Sequence, residues 1–244
     1  MAAMSVTSSD HRGELYLIPN LLGETALDSS LPPVIATITA SISHFVVEEE
    51  KSARRFIKLL CPDRVIRELS LQVLNEHTKP HEIDALTAPL LQGHNVGIIS
   101  EAGCPAIADP GAELVRRAHE LGIAVRPLVG PCSMTLALMA SGFNGQRWRF
   151  VGYLPIEGGA RKDTIRALEK DLYEHQETQI VMDTPYRNQK LFEELLTTCR
   201  PETRICIASA LTTEQESIAV RSVHEWRAMG FTVPKSPAIF LLGR

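Results

Sequence analysis

The chain of 244 residues is short of close cysteine pairs. Its five cysteines, Cys61, Cys104, Cys132, Cys199 and Cys206, are odd in number and form no C-x-x-C pair. That argues against a disulfide framework and for reduced thiols. It also argues against zinc. The tightest histidine cluster is "HTKPH", where Pro80 distorts the helix that would place His77 and His81 on one face, and no thiolate lies nearby in sequence. Two surface histidines are the expectation, and no metal. Apolar runs fall short of the ~20 residues that cross a bilayer, so no membrane association is expected. The opening "MAAMSVTSSDHR" lacks the apolar stretch of a secretory signal, which makes residues 1–12 a loose disordered tail and the cytoplasm the expected location. Neither G-x-G-x-x-G nor G-x-x-x-x-G-K-[ST] occurs, which removes dinucleotide and P-loop phosphate binding. An excess of basic residues is missing too. With Lys+Arg 25 against Asp+Glu 29, the formal net charge is −4. Any contact with nucleic acid must therefore be a local patch.

What is present is a chain able to bury a real core, with 44% hydrophobic residues and 22% charged, in which strand and helix signals alternate. "ELYLIP" reads as a buried strand ended by Pro19. "PPVIATITASISHF" (32–45) reads as a helix opened by prolines, "FVVEEE" as a strand, and "SARRFIKLL" as a helix with Ser52 at its N-cap. "RELSLQVL" alternates like a strand. "HEIDALTAPLLQG" is helical, with Pro89 against a regular middle. "VGIIS" is apolar on both faces, as in a central parallel strand. "GAELVRRAHELG" is amphipathic, with Leu114, Val115, Ala118 and Leu121 on one face. "IAVRPLV" is a strand, "GPCSMTLALMASG" a helix between glycines, and the alternation resumes to the C-terminus. The last three strands have little helix between them and suggest antiparallel pairing at the end. The fold class is α/β, two α/β domains with mainly parallel sheets. The boundary falls near Gly130, giving domains 13–130 and 131–244. No repeat or low-complexity linker is visible.

Several strands end in unusual loops where a parallel sheet holds its ligand, beyond the carboxyl ends. Pro19 follows one; Glu101, Gly103 and Pro105 follow another; Gly130 and Pro131 a third; Asp183 and Pro185 a fourth. Glycines admit a close backbone approach, and prolines hold loop shape so that little entropy is lost on binding. A phosphate-free ligand held by backbone and apolar walls fits these loops, and S-adenosylmethionine is one.

Those residues carry a resemblance. "SEAGCPAIADPG" resembles the S-D-A-G-T-P-x-x-x-D-P-G loop of the tetrapyrrole methylase superfamily. "PLVGPCSMTLALMASG" is similar to the P-L-P-G-P-C-A segment, and "FVGYLP" to the F-x-G-F-L-P, of the branch that includes the bacterial small-subunit ribosomal RNA ribose 2′-O-methyltransferase. "GELYLIPNLLGE" stands in the place of that branch's opening strand and loop, and "ARKDTIRALE" resembles its basic helix start. The resemblance runs in order from about Gly13 to the end. It implies a homodimer of two-domain subunits with S-adenosylmethionine as cofactor in the inter-domain cleft. By position it implies cofactor contacts at Pro19, Ser100, Gly103, Cys104, Ile107, Cys132, Ser133, Met182, Leu211, Pro237 and Ala238. Departures cluster on the substrate side: Asn20-Leu21-Leu22 for T-P-I, Glu101 for Asp, Cys104 for Thr, "VVEEEKSARRF" for A-E-D-T-R, "MDTPYRN" for E-x-x-H-R-L, and "SALTTEQES" with a basic position lost.

Individual residues leave alternatives open. Asp109 reads as a cap for the helix starting near Gly111. Glu101 reads equally as a strand-end carboxylate and as a catalytic base that orients substrate or takes its proton. Cys104 reads as a packing residue before a nucleophile, and Ser133 as cofactor ligand, helix cap, or both. Arg54, Arg55, Tyr186 and Arg187 are candidate substrate contacts, and Arg147, Arg149, Arg161 and Lys162 candidates for one basic patch with them. "SMTLALMA" is apolar nearly all round, which places Leu136, Leu138 and Met139 near a domain or subunit junction. The function expected is S-adenosylmethionine-dependent methyl transfer, to RNA or a ribosomal subunit by the resemblance. A small-molecule or tetrapyrrole methylase is the alternative favoured by the acidic charge. A non-catalytic cofactor-binding dimer is the third.

Overall fold

The computed structural model describes residues 12–244; the loose tail expected over 1–12 lies largely outside the described residues. The chain forms two compact units, one of residues up to Leu21 with Ala26–Pro131, the other of Leu22–Thr25 with Cys132–Arg244.

In the first unit the order is β1 (Leu15–Ile18), α1 (Leu27–Ser30), α2 (Val34–Ser41), β2 (His44–Val47), α3 (Glu50–Leu60), β3 (Ser70–Val73), α4 (Ile83–Leu86), α5 (Ala88–Leu91), β4 (Val96–Ile99), α6 (Gly111–Glu120) and β5 (Val125–Pro127). The strands lie in the order β3-β2-β4-β1-β5, and every pairing is parallel. β4 is buried at all four positions, as its run of Val, Gly and Ile demands of a strand covered on both faces. One apolar cluster, around Ile18, Phe45, Ile57 and Ile99, covers one side; another, around Leu15, Val46, Leu90, Val96 and Leu114, covers the other. The chain leaves β1 towards β2 on one side of the sheet and leaves β4 for β5 on the other. The carboxyl ends of β1 and β4 are thus where the connections diverge, the place at which open α/β sheets bind ligands.

Local expectations are corrected in places. The helix expected over 32–45 stops at Ser41, and His44 and Phe45 belong to β2. Ser52 is not the cap of α3. Glu49 is, its carboxylate accepting from the N–H groups of Lys51 and Ser52 at 2.8 and 2.7 Å. Pro89 divides the helix over 81–93 into α4 and α5.

The second unit runs α7 (Ser133–Ser141), β6 (Trp148–Tyr153), α8 (Gly158–His175), β7 (Thr178–Asp183), α9 (Asn188–Thr198), β8 (Arg204–Ser209), β9 (Ser217–Ser222), α10 (Val223–Met229) and β10 (Ala238–Gly243). Its sheet order is β6-β7-β10-β8-β9. Here the mainly parallel expectation fails. β6–β7 is parallel, while β7–β10, β10–β8 and β8–β9 are antiparallel. The reason is connection length. The loop joining β8 to β9 is far shorter than the dozen or more residues a parallel crossover requires. Nor is α7 buried all round: Met134, Ala137 and Leu138 join the core, while Met139 is 78% exposed.

Candidate functional site

Three strand-end loops of the first unit are tied together by backbone. Asn20, just past β1, and Gly103, past β4, form an antiparallel bridge, with N–H···O distances of 2.8 and 3.2 Å. The Asn20 amide donates to the carbonyls of Ser100 at 2.9 Å and Glu101 at 3.1 Å. Past β5, the carbonyls of Gly130 and Pro131 lie 3.6 and 3.4 Å from the Cys104 sulfur, which donates to them. Pro19, Ser100, Gly103 and Cys104 are thereby brought together. Ser100 and Gly103 are buried, Cys104 is partly buried, and Ile107 is exposed as an apolar side chain on the rim.

The loop after β4 holds its shape at a cost. Gly103, Ala106 and Ala108 have φ of 71°, 65° and 59°. Glycine takes that conformation freely, but each alanine does so at about 1–2 kcal/mol. Asp109 closes the loop by accepting from Gly111 N–H at 2.8 Å, but the N-cap of α6 is Pro110, with no side-chain cap, and not Asp109 as expected.

The carboxylates here crowd. Glu48 Oε2 accepts from the Glu101 N–H at 3.2 Å, and Ser52 donates to the Glu101 carboxylate. Burial pushes the Glu48 carboxyl above its usual range. The Glu101 N–H opposes this, and Asp109, Glu101 and Glu76 add to the rise. An acid whose folded pKa is raised holds its proton longer when folded, so stability falls as pH rises from the ordinary glutamate range, about 4.3, through the higher folded value. Glu48→Gln is expected to remove that fall and to be the more stable protein at pH 7. Urea midpoints for both proteins between pH 4 and 7 check it, and parallel curves would refute the assignment.

The second unit gathers its candidates at one end of its sheet. Met182 pairs with Tyr153 of β6 and with Ile239 of β10, and Asp183 pairs with Ala238. The Ala210 N–H donates to Pro237 O at 2.9 Å, which draws the loop after β8 onto the residues before β10. Leu211 and Ala238 are buried, Met182 is partly so and Pro237 is exposed. At the start of α7, Cys132 is the N-cap, in extended conformation with no side-chain cap. Ser133 lies inside the helix with its hydroxyl 3.3 Å from the Met134 sulfur. The capping alternative for Ser133 therefore falls.

Thr212 is a residue the sequence did not reveal. Its φ of 68° is left-handed, and its buried hydroxyl finds no hydrogen-bond partner among the described residues. A β-branched residue in that conformation is strained, and its unsatisfied hydroxyl makes it a candidate contact for a polar group. The braced loops of the first unit, which carry no phosphate-binding motif, fit a ligand such as S-adenosylmethionine, whose purine, ribose and amino-acid tail carry no phosphate.

The expected single basic patch is divided. Arg161 is 1% exposed and cannot meet RNA. It donates to the Pro155 and Ile156 carbonyls at 2.8 and 2.7 Å, and it lies 3.2 Å from a Glu194 oxygen and 4.0 Å from an Asp183 oxygen. Arg147 and Arg149 stand at the start of β6, and Arg187 beyond the end of parallel β7, so they occupy opposite ends of one sheet. Arg147 donates to His175 O at 2.8 Å and Arg149 faces Asp171 at 3.5 Å. In the first unit Arg54 pairs with Glu50 at 3.0 Å, while Arg55 is exposed. Lys162 is exposed as well. Arg187 is held by Asp183, its Nε 2.7 Å and its Nη2 2.6 Å from Oδ1. That hydrogen bond, chiefly, raises the arginine's pKa.

Known proteins resemble this chain at three levels. The family of tetrapyrrole (corrin/porphyrin) methylases matches residues 40–226. Ribosomal RNA small subunit methyltransferase I of Haemophilus influenzae is 35% identical over 156 residues, 63% of this chain and 54% of that protein. Its counterpart in Escherichia coli O157:H7 is 28% identical over 212 residues, 87% of this chain and 70% of that one. The chain thus spans about half the length of the first relative. Among solved structures, the methyltransferase CobJ superposes with a TM-score of 0.63 at 16% identity, covering 95% of this chain and 94% of its own. Uroporphyrin-III-C-methyltransferase from Thermus thermophilus does so with 0.54 at 18%, covering 95% and 92%. At such identities the two share the fold. With more than half of its residues matched by the family and its strand-end loops arranged as described, the chain belongs to the tetrapyrrole methylases and has their α/β methyltransferase fold.

Proposed function

We propose that the chain is an S-adenosylmethionine-dependent methyltransferase whose acceptor is RNA, a ribose 2′-hydroxyl of the small ribosomal subunit. The observation that carries the reading is the braced, phosphate-free loop cluster at the diverging ends of β1 and β4. The relatives' name, ribosomal RNA small subunit methyltransferase I, supports the acceptor. When bound, the cofactor supplies an activated methyl group, so the protein's work is alignment. Pro19, Ser100, Gly103, Cys104 and Ile107 are the first unit's candidate cofactor contacts; the second unit's own candidates are Cys132, Ser133, Met182, Leu211, Pro237 and Ala238. Glu101, which accepts a hydrogen bond from the Ser52 hydroxyl, is the candidate base for the acceptor hydroxyl. A cytoplasmic homodimer belongs to the same reading, with exposed Met139 at the subunit contact; light scattering at twice the chain mass is expected.

The test is transfer of labelled methyl groups from S-adenosylmethionine into RNA and small-molecule fractions of a strain lacking the gene. Label in small-subunit ribosomal RNA is expected. Label only in small molecules would favour the second reading, a small-molecule methylase, for which the net charge of −4 speaks. No calorimetric binding of cofactor or its demethylated product would end both.

Thr212 gives a sharper test. Thr212→Gly relieves a β-branched residue at φ 68° and removes a buried hydroxyl without a partner. After the entropy that glycine costs, a gain of about 1 kcal/mol in unfolding free energy is expected. Cofactor affinity is expected to fall at the same time. A variant that is more stable and binds equally well would show that the hydroxyl does not serve the ligand.

A further inference from the structure

The functional end of the second sheet carries side chains that the core does not use. Tyr186 is 94% exposed, Ile156 72% and Tyr153 58%. They are not scattered. Tyr153 pairs in the sheet with Met182, the residue before Asp183. Arg187 is clamped by Asp183. Buried Arg161 holds the carbonyls of Pro155 and Ile156, and its Nη1 lies 4.0 Å from the other oxygen of Asp183. One buried guanidinium therefore fixes both the loop that presents Ile156 and the carboxylate that aims Arg187. Burying such a group is costly, and here it holds the backbone beside exposed Ile156 and the carboxylate that pairs Arg187.

We propose that Tyr153, Ile156, Tyr186 and Arg187 form the acceptor-side contact, a stacking platform for unpaired bases of single-stranded RNA, with Asp183 and Arg161 as the positioning residues that hold it. The proposal rests on the RNA reading above and gives it a surface. Single-stranded RNA is bound by stacking splayed bases on aromatic rings and guanidinium planes, and two exposed phenols beside a fixed arginine supply both. The charges of Arg161, Arg187, Asp183 and Glu194 cancel, so attraction here comes from stacking and not from counterion release. Register places the platform correctly: Tyr153 is the strand neighbour of Met182, and Asp183 of Ala238, two of the proposed cofactor contacts. An acceptor resting on it would lie beside the methyl donor.

The experiment is fluorescence anisotropy with a labelled single-stranded oligoadenylate of about 12 nucleotides, within the range of known single-strand site sizes. It is run on the full chain from about 50 to 200 mM salt, the interval over which phosphate contacts declare themselves. Tyr186→Ala is expected to weaken binding about tenfold, as loss of one stacked base does, with an unchanged salt slope. Tyr153→Ala should behave alike. Asp183→Asn keeps an oxygen for the Thr184 N–H, which donates to Oδ1 at 2.8 Å, but lets Arg187 swing free. It should weaken RNA binding severalfold while calorimetric affinity for S-adenosylmethionine stays constant, a split that general destabilisation would not produce; because Asp183 also faces buried Arg161, the unfolding midpoint should fall as well. Calorimetric affinity for S-adenosylmethionine should stay constant in the tyrosine variants. Wild-type affinity in both tyrosine variants would overturn the platform while leaving RNA as the acceptor. A light-scattering mass halved in the double tyrosine variant would overturn it in favour of self-association. Cofactor binding by the wild type with no oligonucleotide binding would overturn the RNA reading and the platform with it.

Discussion

Arg161→Ala is expected to lower the unfolding free energy by about 3–5 kcal/mol, the range for removing one partner from a buried ion pair. The guanidinium is 1% exposed; it donates to the carbonyls of Pro155 and Ile156 and stands 3.2 and 4.0 Å from carboxylate oxygens of Glu194 and Asp183 as an ion pair without a hydrogen bond to either. Asp183 keeps Arg187, but Glu194, whose side chain is 13% exposed, is left without a cation. Arg161→Lys should recover only part of the loss, since an ammonium is a point charge and cannot serve carbonyls and carboxylates in a fixed fork. Adding Glu194→Leu to Arg161→Met should recover most of it, because the cost lies in the orphaned carboxylate and not in the missing attraction. Urea unfolding of the three variants measures this. An additive double variant would mean that the destabilisation comes from the two carbonyls and lost packing.

That arginine also shows where the sequence stops being readable. "ARK" at a helix start looks like a solvated basic corner. Only the fold brings Glu194 and the 155–156 carbonyls around Arg161, so no local pattern distinguishes it from exposed Lys162 beside it. Arg147 and Arg187 were grouped by charge. Strand direction separates them, because one precedes a strand and the other follows its parallel neighbour. The buried strands of the first unit were legible for the opposite reason. "VGIIS" and "LYLI" are apolar in runs that only a sheet covered on both faces can absorb, and strand–helix alternation dictates parallel pairing. The second sheet departs from the expectation at β8 to β10, where spacing between strands is the deciding variable. Of the candidate site, the glycine and proline loops of the first unit were visible because φ and rigidity are written in residue type. Thr212 was not. One threonine of a Thr-Thr pair carries no mark of a left-handed backbone or of a hydroxyl without a partner. Asn20, whose amide ties two loops, stood in the sequence only as a departure from T-P-I.

The closest packing in the candidate site predicts the second large effect. Gly130→Ala is expected to cost about 2–3 kcal/mol, towards the upper end of what overpacking does, and to weaken cofactor binding at least tenfold. A β-carbon on residue 130 would stand 2.1 Å from Cβ and 2.4 Å from Cγ of Pro19. Carbons in contact keep about 3.5–4.0 Å, so one of the two loops must retreat by more than 1 Å. Pro19 cannot swing aside, because its ring fixes φ and it follows Ile18, which is paired in the sheet with Ile99. Gly130 cannot leave freely either, since its carbonyl and that of Pro131 receive the Cys104 thiol. The displacement therefore passes to Cys104 and to the Asn20–Gly103 bridge beside it, the loops proposed to hold the cofactor. The obstacle is space and not dihedral angle, because Gly130 is absent from the glycines with positive φ. Two controls follow. Gly145→Ala meets nothing within 4 Å and should leave stability and binding unchanged. Pro19→Gly in the Gly130→Ala background removes the ring that is struck and should restore part of the stability, less the entropy that a glycine adds to the unfolded chain. Thermal unfolding and S-adenosylmethionine calorimetry on the four proteins measure both effects. A Gly130→Ala variant that loses stability but binds normally would separate the β1–β5 contact from the ligand site.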